Sequence, residues 1–175
     1  MTAKIKPLLV PAQLQERIAE LGAEITRDYR DKDLVCVGVL KGCFPFLADL
    51  VRQIDLPMRV DFLGVSSYGN DTMSSGVVRL TSDLSKAVED LDVLIVEDIV
   101  DTGLTIQYLL DNLSTRRPKS IAICTLLHKP SATMIKVDLD YIGFEIPNLF
   151  VVGYGLDYAE LYRNVPYIGV LENDE

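Results

Sequence analysis

The segment Val93 to Thr105, VLIVEDIVDTGLT, concentrates side chains that can do chemistry. An aliphatic run is followed at once by the adjacent carboxylates Glu97 and Asp98, then Ile99 and Val100, then Asp101-Thr102-Gly103-Leu104-Thr105. Neighbouring carboxylates can accept hydrogen bonds from a sugar diol or hold a hard cation. The hydroxyls of Thr102 and Thr105, together with free amides where a loop enters a helix, form a site for a phosphate. Gly103 removes a Cβ where the backbone must approach closely. The bland alternative is a pair of acids that solvate a loop, with Asp101 capping the helix. The Walker lysine pattern and the dinucleotide glycine pattern are both absent.

A strand must deliver these acids, and the chain supplies several. Leu34 to Leu40 (LVCVGVL) and Asp92 to Val96 are apolar runs without alternation, the mark of strands covered on both faces. Arg59 to Tyr68, Val77 to Thr81, Ser120 to Leu127, Tyr141 to Phe144, Phe150 to Val152 and Tyr167 to Val170 also read as strands. Pro11 to Arg30 reads as an amphipathic helix, with Leu14, Ile18, Leu21, Ile25 and Tyr29 at helical spacing. Phe44 to Gln53 and Leu104 to Leu113 are further helices. Gly69 to Gly76 (GNDTMSSG) is polar and rich in turn formers, which predicts an exposed mobile loop. Strand and helix alternate, so the expected fold class is α/β: a central parallel twisted sheet flanked by helices. Ligands bind such sheets beyond the carboxyl ends of the strands.

The 175 residues fit one domain, 1–175, large enough for a substantial core. The net charge of -9 argues against non-specific nucleic-acid binding and against an anionic membrane surface. Cys36, Cys43 and Cys124 match no zinc spacing and no disulfide framework, which fits a reducing cytoplasm. The N-terminal segment is too weakly apolar for a signal peptide, and no apolar run approaches the roughly 18 residues of a membrane span.

VLIVEDIVDTGLT resembles the phosphoribosyl pyrophosphate motif of type I phosphoribosyltransferases: a hydrophobic run, two acids, two aliphatics, then Asp-Thr-Gly-x-Thr. Over nearly its full length the chain resembles the bacterial hypoxanthine-guanine phosphoribosyltransferases, with VLKGCFPFLADL, VSSYGND and GFEIPNLFVVGYGLDYAELYRN as supporting segments. The resemblance implies a small hood built from terminal segments and a flexible lid opening at Ser67 and Tyr68. It implies transfer of the phosphoribosyl group to N9 of hypoxanthine or guanine, giving IMP or GMP and pyrophosphate, with Mg2+ required. Glu97 and Asp98 would hold the ribose hydroxyls, directly or through the metal, and Asp157 a second magnesium. Asp101, Thr102, Gly103, Leu104 and Thr105 would form the phosphate loop, with Asp101 also the general base at purine N7. Leu104 departs from relatives that carry a basic residue there, so amides and hydroxyls must suffice.

The same resemblance gives Lys41, Gly42 and Arg163 to pyrophosphate and allows a cis peptide bond before Lys41. It gives Lys129, Phe150, Val151 and the backbone at Asp157 to the purine. Lys129 offers donors and no acceptor, which suits a 6-oxo group and leaves a 6-amino group unmatched. Read singly, Lys41, Lys129 and Arg163 are ordinary surface charges, and Phe150 with Val151 is ordinary core. His128, the only histidine, receives no role. Homodimers or homotetramers are usual in the family. Two rivals are weighed: a non-catalytic phosphoribosyl pyrophosphate-sensing regulator of the same fold, and a receiver-type signalling domain. The charge and the absence of a basic helix count against the first, and Asp-Thr-Gly-x-Thr has no place in the second.

Overall fold

In a computed structural model, residues 4–67 and 78–172 are described, and they form two sheets. Elements in chain order are β1 (Lys4–Leu9), α1 (Pro11–Asp28), β2 (Leu34–Leu40), α2 (Phe44–Val51), β3 (Arg59–Ser67), β4 (Val78–Ser82), β5 (Asp92–Val100), α3 (Leu104–Ser114), β6 (Ser120–His128), β7 (Tyr141–Glu145), β8 (Val151–Val152) and β9 (Ile168–Glu172). The larger sheet has the order β4-β3-β2-β5-β6-β7 and is parallel except for the antiparallel edge strand β4. The expected α/β class with a central parallel sheet is what is observed.

The apolar runs of β2 and β5 are explained by burial on two faces. Cys36, Leu94, Val96, Cys124 and Leu126 meet Ile18, Ile25, Phe46 and Leu50 of α1 and α2 on one face. Val37, Val93, Ile95 and Ile123 meet Ile106, Leu109 and Leu113 of α3 on the other. Successive strand residues point to opposite faces, so only a continuous apolar run fills both layers. All three cysteines are free and buried, Cys43 included.

The sheet changes direction at its centre: β3 lies on one side of β2, and β5, β6 and β7 on the other. Pairing of β2 with β5 ends at Gly38 and Val96. Val39 and Leu40 continue against β3, at Leu63 and Gly64, while β5 continues against β6 as far as Val100 and His128. The two central strands therefore part company at their carboxyl ends and open a crevice, the usual ligand position in such sheets. This corrects one expectation. Glu97 and Asp98 do not follow the strand; they lie inside β5, on the stretch that has lost β2 as a neighbour but keeps β6.

β1 is absent from the sequence reading, because Pro7 and two lysines interrupt any strand pattern. It pairs with β9, which also pairs with β8, in a three-stranded antiparallel sheet. Pro7 sits beside a register irregularity on the edge strand, a place where its missing N–H is tolerated. A small hood from terminal segments was expected, and these segments form a small second sheet. Ser67 ends β3 opposite Val78. Tyr68 and the polar loop Gly69 to Gly76 expected to form the lid lie outside the described residues.

Candidate active site

The crevice at the ends of β2 and β5 holds a pocket of about 740 Å³. Seven of the expected site residues line it: Lys41 and Gly42 after β2, Glu97 and Asp98 on β5, Thr105 in the first turn of α3, and Asp157 and Arg163 from the segment between β8 and β9. Glycine makes the assembly possible at two points. A Cβ on Gly42 would lie 1.7 Å from Asp98 Oδ2, so the carboxylate occupies the space a side chain would take. A Cβ on Gly155, at φ 98°, would lie 2.0 Å from the Gly42 carbonyl oxygen. The Gly153 to Leu156 loop thereby packs directly on the backbone after β2. The Leu40–Lys41 peptide bond is cis.

Burial shifts both carboxylates of β5 towards the protonated form. Burial, aided by Asp98 and Asp101, raises the Glu97 pKa well above the usual carboxylate range. Its Oε2 is buried with no hydrogen-bond partner among the described residues. Burial also pushes Asp98 up to about 6, opposed by backbone N–H groups and Arg163 and reinforced by Asp157. Asp98 Oδ1 accepts a hydrogen bond from its neighbour, the Ile99 amide, at 2.8 Å. A buried, unpartnered acceptor costs about 1–3 kcal/mol, which a hydroxyl donor or a cation in the crevice would offset.

Asp157, Arg163, Lys41 and Glu160 form one ionic cluster at the mouth. Arg163 Nη2 lies 2.9 Å from Asp157 Oδ1 and 3.4 Å from Glu160 Oε1, and Nη1 donates to the Gly155 carbonyl at 2.8 Å. Arg163 Nε is buried without a partner among the described residues. Lys41 Nζ pairs with Glu160 Oε2 at 2.8 Å. The Lys41 pairing holds the Glu160 carboxyl below the usual range.

The loop from Asp101 to Thr105 lies beside this pocket and has settled its own polar groups. Asp101 is exposed and its Oδ1 accepts from the Thr102 amide at 2.5 Å. Thr102 Oγ1 receives the Leu104 amide at 3.4 Å. The helix cap is Gly103, at φ 84°, so the bland reading of Asp101 as the cap does not hold. A Cβ on Gly103 would lie 2.3 Å from the Ile135 carbonyl oxygen, so its close approach is to protein backbone. The Asp101 carboxylate and the Thr102 hydroxyl thus each hold one amide of the loop.

Of the residues expected to read the purine, Asp157 lines this pocket, and Lys129, Phe150 and Val151 do not. Lys129, after β6, is buried; burial lowers its pKa and Asp101 acts in the opposite sense, so the two face each other electrostatically. Its amide donates to the Val100 carbonyl at 2.9 Å, which ties it to the end of β5. Phe150 is half-exposed and meets Tyr158 edge-on, with centroids 5.6 Å apart at 85°. Val151 is buried in β8 against Val170 of β9. His128 is mostly buried, with Nδ1 3.6 Å from Glu145 Oε1 across the β6–β7 pair.

The sequence reading missed Glu160, and it missed Thr81 and Ser82, which β4 brings to the pocket wall. It also missed Asp49 of α2, which receives the Tyr154 hydroxyl at 2.5 Å and so pins the Gly153 to Leu156 loop. Asp49 and Glu160 lie inside segments that carry the family resemblance but received no role there, and Thr81 and Ser82 stand in no recognisable motif.

Glu97, Asp98 and Asp157 share the pocket, yet among the described residues no group of three or more such side chains forms a cage for a metal ion. Magnesium is usually held by one or two carboxylates plus substrate phosphate oxygens, and this donor set fits that pattern.

A phosphoribosyl transferase domain matches residues 11–159. The chain belongs to the phosphoribosyl transferase family. The family read from Val93 to Thr105 is therefore borne out. Among curated members, a hypoxanthine-guanine phosphoribosyltransferase of Bacillus subtilis is 53% identical over 95% of this chain and 93% of its own. A solved hypoxanthine phosphoribosyltransferase of Staphylococcus aureus superposes with a TM-score of 0.91 at 47% identity, covering 95% of this chain and 91% of that one. The Trypanosoma cruzi hypoxanthine phosphoribosyltransferase, solved with its product IMP, gives 0.88 at 42% identity, covering 97% and 95%. Among the described residues, no helix of this phosphoribosyltransferase is long and apolar enough to cross a membrane.

Proposed function

We propose that this phosphoribosyltransferase salvages 6-oxopurines, transferring the 5-phosphoribosyl group from phosphoribosyl pyrophosphate to N9 of hypoxanthine or guanine. The products are IMP or GMP and pyrophosphate. The observation that carries this reading is the convergence of four separate chain segments on one crevice: Lys41-Gly42, Glu97-Asp98, Thr105, and Asp157 with Arg163. These segments supply acceptors for a diol, a helix N-terminus for a phosphate and cations for a diphosphate, which are the parts of phosphoribosyl pyrophosphate.

In this reading N9 attacks C1′ as the C1′–O bond to pyrophosphate breaks. Glu97 and Asp98 accept hydrogen bonds from the ribose hydroxyls or share a cation with them. The amides of Gly103 and Leu104 and the hydroxyls of Thr102 and Thr105 hold the 5-phosphate. Lys41, the Gly42 amide and Arg163 hold pyrophosphate. Lys129 donates to the purine 6-oxygen, Phe150 stacks on the base, and backbone groups of Val151 and Asp157 meet its pyrimidine edge. Asp101 takes the proton at N7 as general base. Ser67 and Tyr68 belong to a lid that excludes water from the sugar cation. Mg2+ held by Glu97 and Asp98, and a second Mg2+ held by Asp157 through the pyrophosphate, would neutralise the charge on the leaving group. The whole chain acts as one catalytic domain, in the cytoplasm, as a homodimer or homotetramer.

The test is nucleotide formation from phosphoribosyl pyrophosphate and a panel of bases, run in competition. IMP and GMP should form, and AMP should not. Absence of product with every base would overturn the reading.

A further inference from the structure

The segment between Asp157 and Arg163 is a two-residue hairpin. Tyr158 and Leu161 exchange both backbone hydrogen bonds, at 3.1 and 3.0 Å. The central residues Ala159 and Glu160 have φ of 52° and 66°. Such turns need the left-handed region at both positions and ordinarily use Asn-Gly or a similar pair. Here neither residue is glycine, and left-handed non-glycine residues tend to gather at functional sites.

The turn places one carboxylate between two cations. Glu160 Oε2 is 2.8 Å from Lys41 Nζ and Oε1 is 3.4 Å from Arg163 Nη2, while its amide donates to Asp157 Oδ2 at 2.8 Å. One cation follows β2 of the central sheet and the other lies between β8 and β9, and among the described residues the Glu160 side chain is paired with both. Both members of the Lys41–Glu160 pair are 67% exposed. Such a contact is open to water and weak, and therefore readily exchanged.

We propose that Glu160 is the internal counter-anion of the pyrophosphate subsite. It occupies Lys41 and Arg163 while the subsite holds no ligand, is displaced by the diphosphate, and competes with it for the same two cations. Glu160 thereby sets the affinity for pyrophosphate and favours its departure after transfer. The inference rests on the reading of Lys41 and Arg163 as pyrophosphate ligands.

The test is calorimetric titration of magnesium pyrophosphate into the full chain, for the parent and for Glu160→Gln, Glu160→Asp and Lys41→Ala. Glu160→Gln removes the competing charge. Glu160→Asp keeps the charge but shortens its reach to Lys41. Both should bind pyrophosphate about two- to fivefold more tightly, the range expected of one exposed ion pair. KM for phosphoribosyl pyrophosphate should fall in parallel while KM for the base holds. Unchanged or weaker binding in Glu160→Gln, with binding lost in Lys41→Ala, overturns the counter-anion alone. Tighter binding in Glu160→Gln with parental binding in Glu160→Asp overturns it too, since distant charge then suffices. Parental binding in Lys41→Ala overturns the subsite reading itself.

Discussion

At Asp101 the carboxylate has two possible duties, holding its own loop and moving a proton, and one substitution separates them. Its Oδ1 accepts the Thr102 amide, and an asparagine in its place keeps a carbonyl oxygen that can do the same. What asparagine loses is the capacity to take a proton. Asp101→Asn should therefore lower kcat by about 10²–10⁴-fold, the usual contribution of a positioned general base. Binding of the nucleotide product should persist, as measured by titration. Unchanged turnover would take Asp101 out of the proton transfer. Glu97 shows the complementary situation: its burial, and an Oε2 without a partner among the described residues, make sense at a site that expects donors from outside the protein.

Among the elements, α2 and the loop after β8 are joined through Asp49. The carboxylate receives the Tyr154 hydroxyl at 2.5 Å and Gln15 Nε2 at 2.9 Å, and it pairs with Arg52. Burial tends to raise its pKa, but these three donors together hold it below the usual carboxylate range. A depressed folded pKa contributes stability that is present above the unfolded value near 3.8 and is lost as pH falls through the folded value. Tyr154→Phe should accordingly cost about 1.5–3 kcal/mol in urea unfolding at pH 7, the worth of a hydrogen bond to a charged group. The loss should shrink towards pH 3, and an equal loss at both pH values would separate Tyr154 from the Asp49 charge. This contact spans 105 positions in the chain, which is why it was illegible in the sequence. Elements defined by their own residues were legible: β2 and β5 announce themselves by uninterrupted aliphatic runs, and α1 by Leu14, Ile18, Leu21 and Ile25. β1 was hidden because Pro7 and its lysines are tolerated only at the edge it occupies. The last four residues of β5 were hidden because acids read as loop, and only the divergence of β2 explains how a strand can carry them. Glu160 was hidden because its importance lies in a turn geometry that Ala-Glu does not advertise.

At the scale of the molecule, two sheets have to be held in register for the site to exist. The central sheet supplies Lys41, Glu97 and Asp98, and the segment between β8 and β9 supplies Asp157 and Arg163. Gly155 is a point of close contact between them, with the Gly42 carbonyl and Pro45 against its Cα. An added methyl would stand 2.0 Å from that carbonyl oxygen and 2.8 Å from Pro45 Cδ, at a φ of 98° that disfavours any side chain. The opposing atom is backbone, so no rotamer change relieves the clash, and the loop must move away from α2. Arg163 would move with it, because its Nη1 is bonded to the Gly155 carbonyl at 2.8 Å. Displacements of about 1 Å at a positioned group cost up to roughly 10²-fold in rate. Gly155→Ala should therefore raise KM for phosphoribosyl pyrophosphate by about tenfold or more. Tyr154 and Leu156, on either side of it, reach the core of Cys36, Leu94 and Val96, but they belong to no helix or strand of the central sheet, so the far-ultraviolet circular dichroism should be preserved. KM for the base separates the outcomes: a rise confined to phosphoribosyl pyrophosphate means that Gly155 sets the distance between the sheets at the pyrophosphate end, whereas an equal rise for both substrates means that the whole second sheet has shifted.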